Sequence, residues 1–151
     1  KQEAQDLITK YFTAFPNIKE FLNKLGTFGK RNGYIQTFAP FYRRRWFDNW
    51  YPRMWNDRDK MIELGSIERA SKNTPIQGSS ADMTKLALIY IYRDTVKIVM
   101  TVHDQIDTIC REDVAEEWAI RMTELMERAA TVVIPNGLLK ADTNISKTWE
   151  K

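Results

Sequence analysis

The stretch VKIVMTVHDQIDTIC, residues 96–110, decides how this chain folds. Apolar side chains alternate with others up to His103-Asp104, the pair interrupts the pattern, and apolar positions resume at Ile106 and Ile109. A period of two is that of a half-buried strand, and two such runs flanking a short polar pair predict an antiparallel hairpin with His103 and Asp104 at its tip. The pair includes the chain's single histidine. Downstream, Asp113 and Glu116 are expected to cap a helix carrying Val114, Trp118, Met122, Leu125, Met126 and Ala129 on one face, and Trp149 is expected to pin the C-terminal segment.

Helices are expected upstream of the hairpin as well. Ala4, Leu7, Ile8, Tyr11, Phe12 and Phe15 follow the i, i+3, i+4, i+7 rule, so residues 1–15 read as an amphipathic helix stopped by Pro16. Asn17 and Glu20 form a capping-box pattern ahead of a second helix, which Gly33 closes, and the two helices are expected to pack together. GYIQTFAP reads as a short strand and residues 41–59 as a long connection. Residues 60–72 read as a helix with Met61, Ile62 and Ile67 inward. Pro75 and Gly78 punctuate next, and Ser79 with Asp82 starts an apolar helix through Met83, Leu86, Ala87 and Tyr90. The expected class is α+β, helices around a small antiparallel hairpin. The 151 residues are expected to form one unit, subdivided at 1–33, 34–60 and 61–151.

Composition excludes several classes. No apolar run is long enough to span a membrane, and the first residues given carry charges where a signal peptide would carry its apolar stretch. One cysteine, Cys110, rules out an internal disulfide and a Cys-based zinc cluster, which fits the cytoplasm. A helix already under way at Lys1 suggests a piece of a longer polypeptide. The net charge is +3, yet residues 30–60 alone hold eight Lys or Arg against three Asp, a local +5. Tyr42, Trp46, Phe47, Trp50, Tyr51 and Trp55 are interleaved there. That mixture suits a polyanion held by phosphate contacts and stacking, or a solvated loop whose aromatics fold back on the core.

Candidate chemistry is sparse. A multi-histidine metal site is impossible with one His, and Gly78-Ser79-Ser80 lacks the nucleophile-elbow pattern. Asp104 at a strand tip has oxygens of the kind that Mg²⁺ prefers. Asp107 is expected further down the strand, away from the tip. Arg69, Asn73 and Gln77 recur every four residues, donors suited to the minor-groove acceptors that every base pair presents.

These residues carry a resemblance. Glu68, Arg69, Asn73, Pro75, Gln77, Gly78, Ala81 and Asp82 reproduce a long motif, and Val102, His103 and Asp104 a second one, of the family A, polymerase I-like, DNA polymerases. KQEAQDLITKYFTAFPNIKEFL, RNGYIQT, the arginines at 43–45 and Trp149 match the same C-terminal region, so the resemblance covers essentially the whole chain. It implies part of a polymerase palm with adjoining fingers helices, and a template-directed nucleotidyltransferase. Asp104 would ligate the catalytic Mg²⁺ ions, two in the complete active site. His103 would touch the primer terminus. Arg69, Asn73 and Gln77 would follow the minor groove, with Arg43, Arg44 and Arg45 as further DNA contacts.

The implied partners are primer-template DNA, deoxynucleoside triphosphates and an N-terminal polymerase segment bearing the other catalytic Asp and the nucleotide-binding helix, in a bacterial or phage-infected cell. Without that segment the chain is expected to be inactive. Gln105 departs from the family's usual Glu, which removes a negative charge beside the metals. The rival readings are a non-catalytic, sequence-independent nucleic-acid-binding module and a stand-alone metal phosphohydrolase.

Overall fold

The computed structural model describes residues 2–54, 58–94 and 96–149, with only the backbone of Asp59, so Lys1, Trp55, Asp57 and the Asp59 side chain lie outside the described residues. The element order is α1 (Gln2–Ala14), α2 (Pro16–Asn32), β1 (Tyr34–Gln36), β2 (Arg44–Trp46), α3 (Met61–Arg93), β3 (Lys97–Val102), β4 (Gln105–Ile109) and α4 (Ala115–Val133), with single 3₁₀ turns before α3 and α4. Among the described residues, two separate two-stranded antiparallel sheets, β1–β2 and β3–β4, complete an α+β fold. The chain divides into two compact units, residues 1–37 with 42–76 and residues 38–41 with 77–151.

In the first unit α2 starts two residues earlier than its capping pattern implies. Pro16 occupies the first helical position, where its fixed φ suits a helix start and its missing N–H has no partner to lose. Asn17 is thereby inside the first turn, the helix has no side-chain cap, and Glu20 instead pairs with Lys24 at 2.6 Å. At the other end Gly33 does close the helix, with φ at 73° and its N–H donating to Gly29 O at 3.0 Å. A Cβ on Gly29 would lie 1.8 Å from Ser71 Oγ, so only glycine lets α2 approach the first half of α3 this closely.

The core of this unit is Met54, Leu64 and Ile67, with Phe47 and Trp50 packed on it. Met61 and Ile62, expected inward, are 57% and 83% exposed, because the helix turns Leu64 and Ile67 to the core and those two away. α1 buries none of its residues, contrary to the expected packing of its apolar stripe; Tyr11 rests on Phe12 of its own helix and on Phe15, just past the helix end. The connection expected over 41–59 contains a strand: Arg44–Trp46 pairs with Tyr34–Gln36 in the register Ile35↔Arg45.

α3 runs unbroken from Met61 to Arg93, past Pro75 and Gly78. Pro75 removes one backbone N–H from the ladder and crowds the carbonyl four residues earlier. Its ring and Ser71, four residues before it, are both fully buried, so tertiary packing outweighs the local preference. Ser79 therefore caps no helix; its Oγ accepts from the Phe38 N–H at 2.9 Å.

In the second unit Ala87 and Ile91 of α3, Ile106 of β4 and Met122, Leu125 and Ala129 of α4 form the core. Of these, Ile91, Ile106, Met122 and Leu125 each contribute about 1.5–3 kcal/mol by burial. Trp118 Nε1–H donates to Thr108 Oγ1 at 2.8 Å, which sets β4 against α4. α4 begins at Ala115 with no side-chain cap, since the Asp113 carboxylate is taken by Arg111. Trp149 is more than half exposed and does not pin the terminus.

Candidate active site

The β3–β4 hairpin has the register Val102↔Gln105, Thr101↔Ile106 and Met100↔Asp107, so His103 and Asp104 alone make the turn expected for them. The chain reverses there with a positive φ of 57° at His103. Positive φ at the first turn residue and not at the second is the II′ pattern, whose twist matches that of the strands and which favours Gly at the position His103 holds. A non-glycine residue in this region stores about 1 kcal/mol or more of strain, a feature that clusters at functional sites. A bulge at Val99 offsets the pairing between Ile98 and Met100.

Asp104 is exposed, and among the described residues no side-chain hydrogen bond or ion pair engages it. It lines a groove of about 1450 Å³ together with Gln105, Asp107, Met83 of α3, Trp118 of α4 and Trp149. Asp107 is closer to the tip's chemistry than expected: its Oδ1 accepts a hydrogen bond from Gln105 Nε2 at 2.8 Å, while its Oδ2 is buried and has no hydrogen-bond partner among the described residues. The strand period of two puts residues 105 and 107 on one face, which is the sequence signal that would have found this pair.

The remaining candidates are distributed by unit. Arg69 and Asn73 are exposed on α3 in the first unit, and Gln77 is exposed in the part of α3 assigned to the second. In the first unit Arg44 lies over the rings of Tyr34, at 4.8 Å, and Trp46, at 5.9 Å. Arg45 Nη1 donates to Thr74 Oγ1 on α3 at 3.2 Å, and the Arg43 N–H donates to Thr37 Oγ1 at 3.0 Å. The basic run is thus a folded strand whose charges stay at the surface.

Glu68, the first residue of the long motif, has a role that motif reading missed. Its carboxylate accepts from Lys30 of α2 at 2.6 Å and from Lys72 at 2.7 Å, hydrogen bonds that lower its pKa from 4.5 to about 2.

Among the described residues no three His, Cys, Asp or Glu side chains come together to hold a metal ion. Asp104 fits a hard divalent cation as one ligand, an exposed acceptor-only carboxylate, and the described residues do not complete a set around it.

A family model described as DNA polymerase family A matches residues 1–151, the whole chain. The chain belongs to DNA polymerase family A. DNA polymerase I of Geobacillus stearothermophilus is 31% identical over 155 residues, covering 99% of this chain and 16% of that protein. The thermostable DNA polymerase I of Thermus aquaticus is 29% identical over 152 residues, 98% of this chain and 17% of the relative. The chain therefore spans about a sixth of the length of these relatives. Among solved structures, the POL domain of Pol1 from M. smegmatis, in complex with DNA primer-template and dNTP, superposes with a TM-score of 0.70 at 26% identity, over 85% of this chain and 22% of that one. As part of a family A polymerase the fold is consistent with palm and fingers, and among the described residues no helix is long and apolar enough to cross a membrane.

Proposed function

We propose that these residues form one part of a template-directed DNA polymerase, which holds the primer-template and offers one acidic ligand for metal-assisted nucleotidyl transfer. Asp104 carries the reading: an exposed, unengaged carboxylate at a hairpin tip, in a chain of DNA polymerase family A. Two Mg²⁺ ions would supply activation of the primer 3′ hydroxyl and charge stabilisation at the leaving pyrophosphate. The chain's own share is positional. Asp104 presents acceptor-only oxygens on a short, paired hairpin, and His103 beside it meets the primer's terminal nucleotide.

Arg69, Asn73 and Gln77 supply donors for the minor groove, a readout that tolerates every base pair. Arg43, Arg44 and Arg45 add phosphate contacts. Primer-template DNA and deoxynucleoside triphosphates are the proposed ligands, by likeness to the M. smegmatis domain. The other acidic ligand and the helix that grips the incoming nucleotide would come from polymerase sequence outside these 151 residues. The enzyme would work in the cytoplasm of a bacterial or phage-infected cell.

The test is primer extension with Mg²⁺ and four deoxynucleoside triphosphates, by the chain alone and with the remaining polymerase sequence supplied. Extension is expected only in combination, and Asp104→Asn is expected to abolish it. DNA binding without extension in the completed polymerase would establish the alternative, a non-catalytic, sequence-independent nucleic-acid-binding module.

A further inference from the structure

The aromatic residues interleaved with the basic run part company in the structure. Phe47 and Trp50 fold back on the core of the first unit, and Trp50 Nε1–H donates to Lys30 O at 2.8 Å. Trp46, by contrast, is 61% exposed. The register Tyr34↔Trp46 and Gln36↔Arg44, with a strand period of two, sets Tyr34, Gln36, Arg44 and Trp46 on one face of the β1–β2 sheet and the buried Ile35 on the other. On the outer face the Tyr34 and Trp46 rings lie 4.8 Å apart, and Phe28 of α2 meets Tyr34 edge-on at 5.4 Å. Trp46 is thus braced by a neighbouring ring while much of its own surface stays in water.

A Trp so placed contributes little to a core and leaves a large π face for a ligand. The charge around it points to the ligand's class. Arg44 lies over both rings, at 4.8 Å from Tyr34 and 5.9 Å from Trp46, and a stacked guanidinium keeps its in-plane N–H donors for a phosphate. None of the four residues on this face is acidic, and all lie in the segment whose local charge is +5. An exposed ring beside arginines is the combination that holds unpaired nucleotides, rings stacking on bases and cations following the backbone. It needs bases whose faces are open, which a duplex does not offer.

We propose that the outer face of the β1–β2 sheet is a subsite for single-stranded DNA, where an unpaired template base stacks on Trp46 and Arg44 meets the adjoining phosphate. The proposal rests on the polymerase reading, since a primer-template has its unpaired bases in the template overhang. It adds to that reading a contact for the strand still to be copied, one that tolerates any sequence because every base has a π face.

The test is equilibrium binding by the completed polymerase, without Mg²⁺ or nucleotides, to three primer-templates that share one duplex and carry a thymidine overhang, an abasic overhang or none. Trp46→Ala is expected to weaken binding of the thymidine overhang roughly tenfold and to leave the other two probes near wild type. Trp46→Phe keeps a ring and is expected to retain most of the affinity. Arg44→Gln is expected to flatten the slope of log K against log salt for the overhang by about 0.7, the value for one phosphate of a single strand, whereas Trp46→Ala leaves that slope in place. Thermal unfolding reports whether the fold is intact, and Trp46→Leu replaces the Ala variant if it is not.

Wild-type binding of the thymidine overhang by Trp46→Ala overturns the proposal. So does a loss of equal size on the abasic overhang, because no base would then be stacked on the ring. A changed oligomeric state in Trp46→Ala, seen by sedimentation with overhang binding unmoved, would give the face to a second copy and overturns it too. Failure of the polymerase reading is seen separately, as extension that survives Asp104→Asn, a readout in which the Mg²⁺-free binding measurements have no part.

Discussion

Glu68 holds two ammonium groups at once, one from α2 and one from its own helix, and both favour its charged form. A group whose folded pKa is lowered stabilises the fold above its unfolded value and loses that contribution as pH falls through the folded one. For Glu68 the window runs from 4.5 down to about 2. Glu68→Gln is therefore expected to lower the denaturation free energy near pH 7, by about 1 kcal/mol after solvent screening of a third-exposed pair. The gap to wild type should close as pH falls through that window. Denaturant titrations of both proteins at several pH values check this, and a gap independent of pH would remove the ion pairs from the account.

At the scale of elements, the His103-Asp104 turn is strained where glycine would be relaxed. His103→Gly is expected to raise stability by about 1 kcal/mol, since Gly adopts positive φ without a Cβ clash. Its primer extension should nevertheless fall if His103 touches the primer. Thermal unfolding and extension assays on one preparation separate the two effects.

This hairpin was legible because alternation, a polar pair and renewed alternation leave one arrangement that buries Ile106 and exposes the tip. The helical i, i+3, i+4 spacing carried the α4 face through Met122, Leu125 and Ala129. α3 was not legible as one helix, because Pro75, Gly78 and Ser79 are local break signals and the burial of Pro75 and Ser71 that overrides them is non-local. β2 escaped notice since Arg44, Arg45 and Trp46 are all exposed and show no alternation. At the site, Asp104 was marked by its place in the turn. The Gln105–Asp107 contact was present in the strand period, but the distance of Asp107 from the tip along the chain argued against it.

For the whole molecule, a net charge of +3 conceals a local +5 over residues 30–60, and the β1–β2 strands present part of it at the surface. Binding to duplex DNA is expected to be insensitive to sequence and to weaken with salt, with a slope of about −0.9 in log K against log salt for each phosphate neutralised. Replacing Arg43, Arg44 and Arg45 by Gln should flatten that slope in steps of about 0.9 for every phosphate no longer neutralised. An unchanged slope, in a protein whose fold is shown intact by circular dichroism, would make these arginines structural only, as the Arg44 stacking and the Arg45–Thr74 bond already are in part.

Asp104 remains the residue on which the polymerase reading depends. The direct measurement is single-turnover incorporation of one nucleotide by the completed polymerase, wild type against Asp104→Asn, with DNA affinity measured in parallel. The expected result is a rate lower by on the order of 10³-fold, about 4 kcal/mol of lost transition-state stabilisation, at nearly unchanged DNA affinity. An Asp104→Asn rate within about tenfold of wild type, a loss near 1.4 kcal/mol, would contradict it.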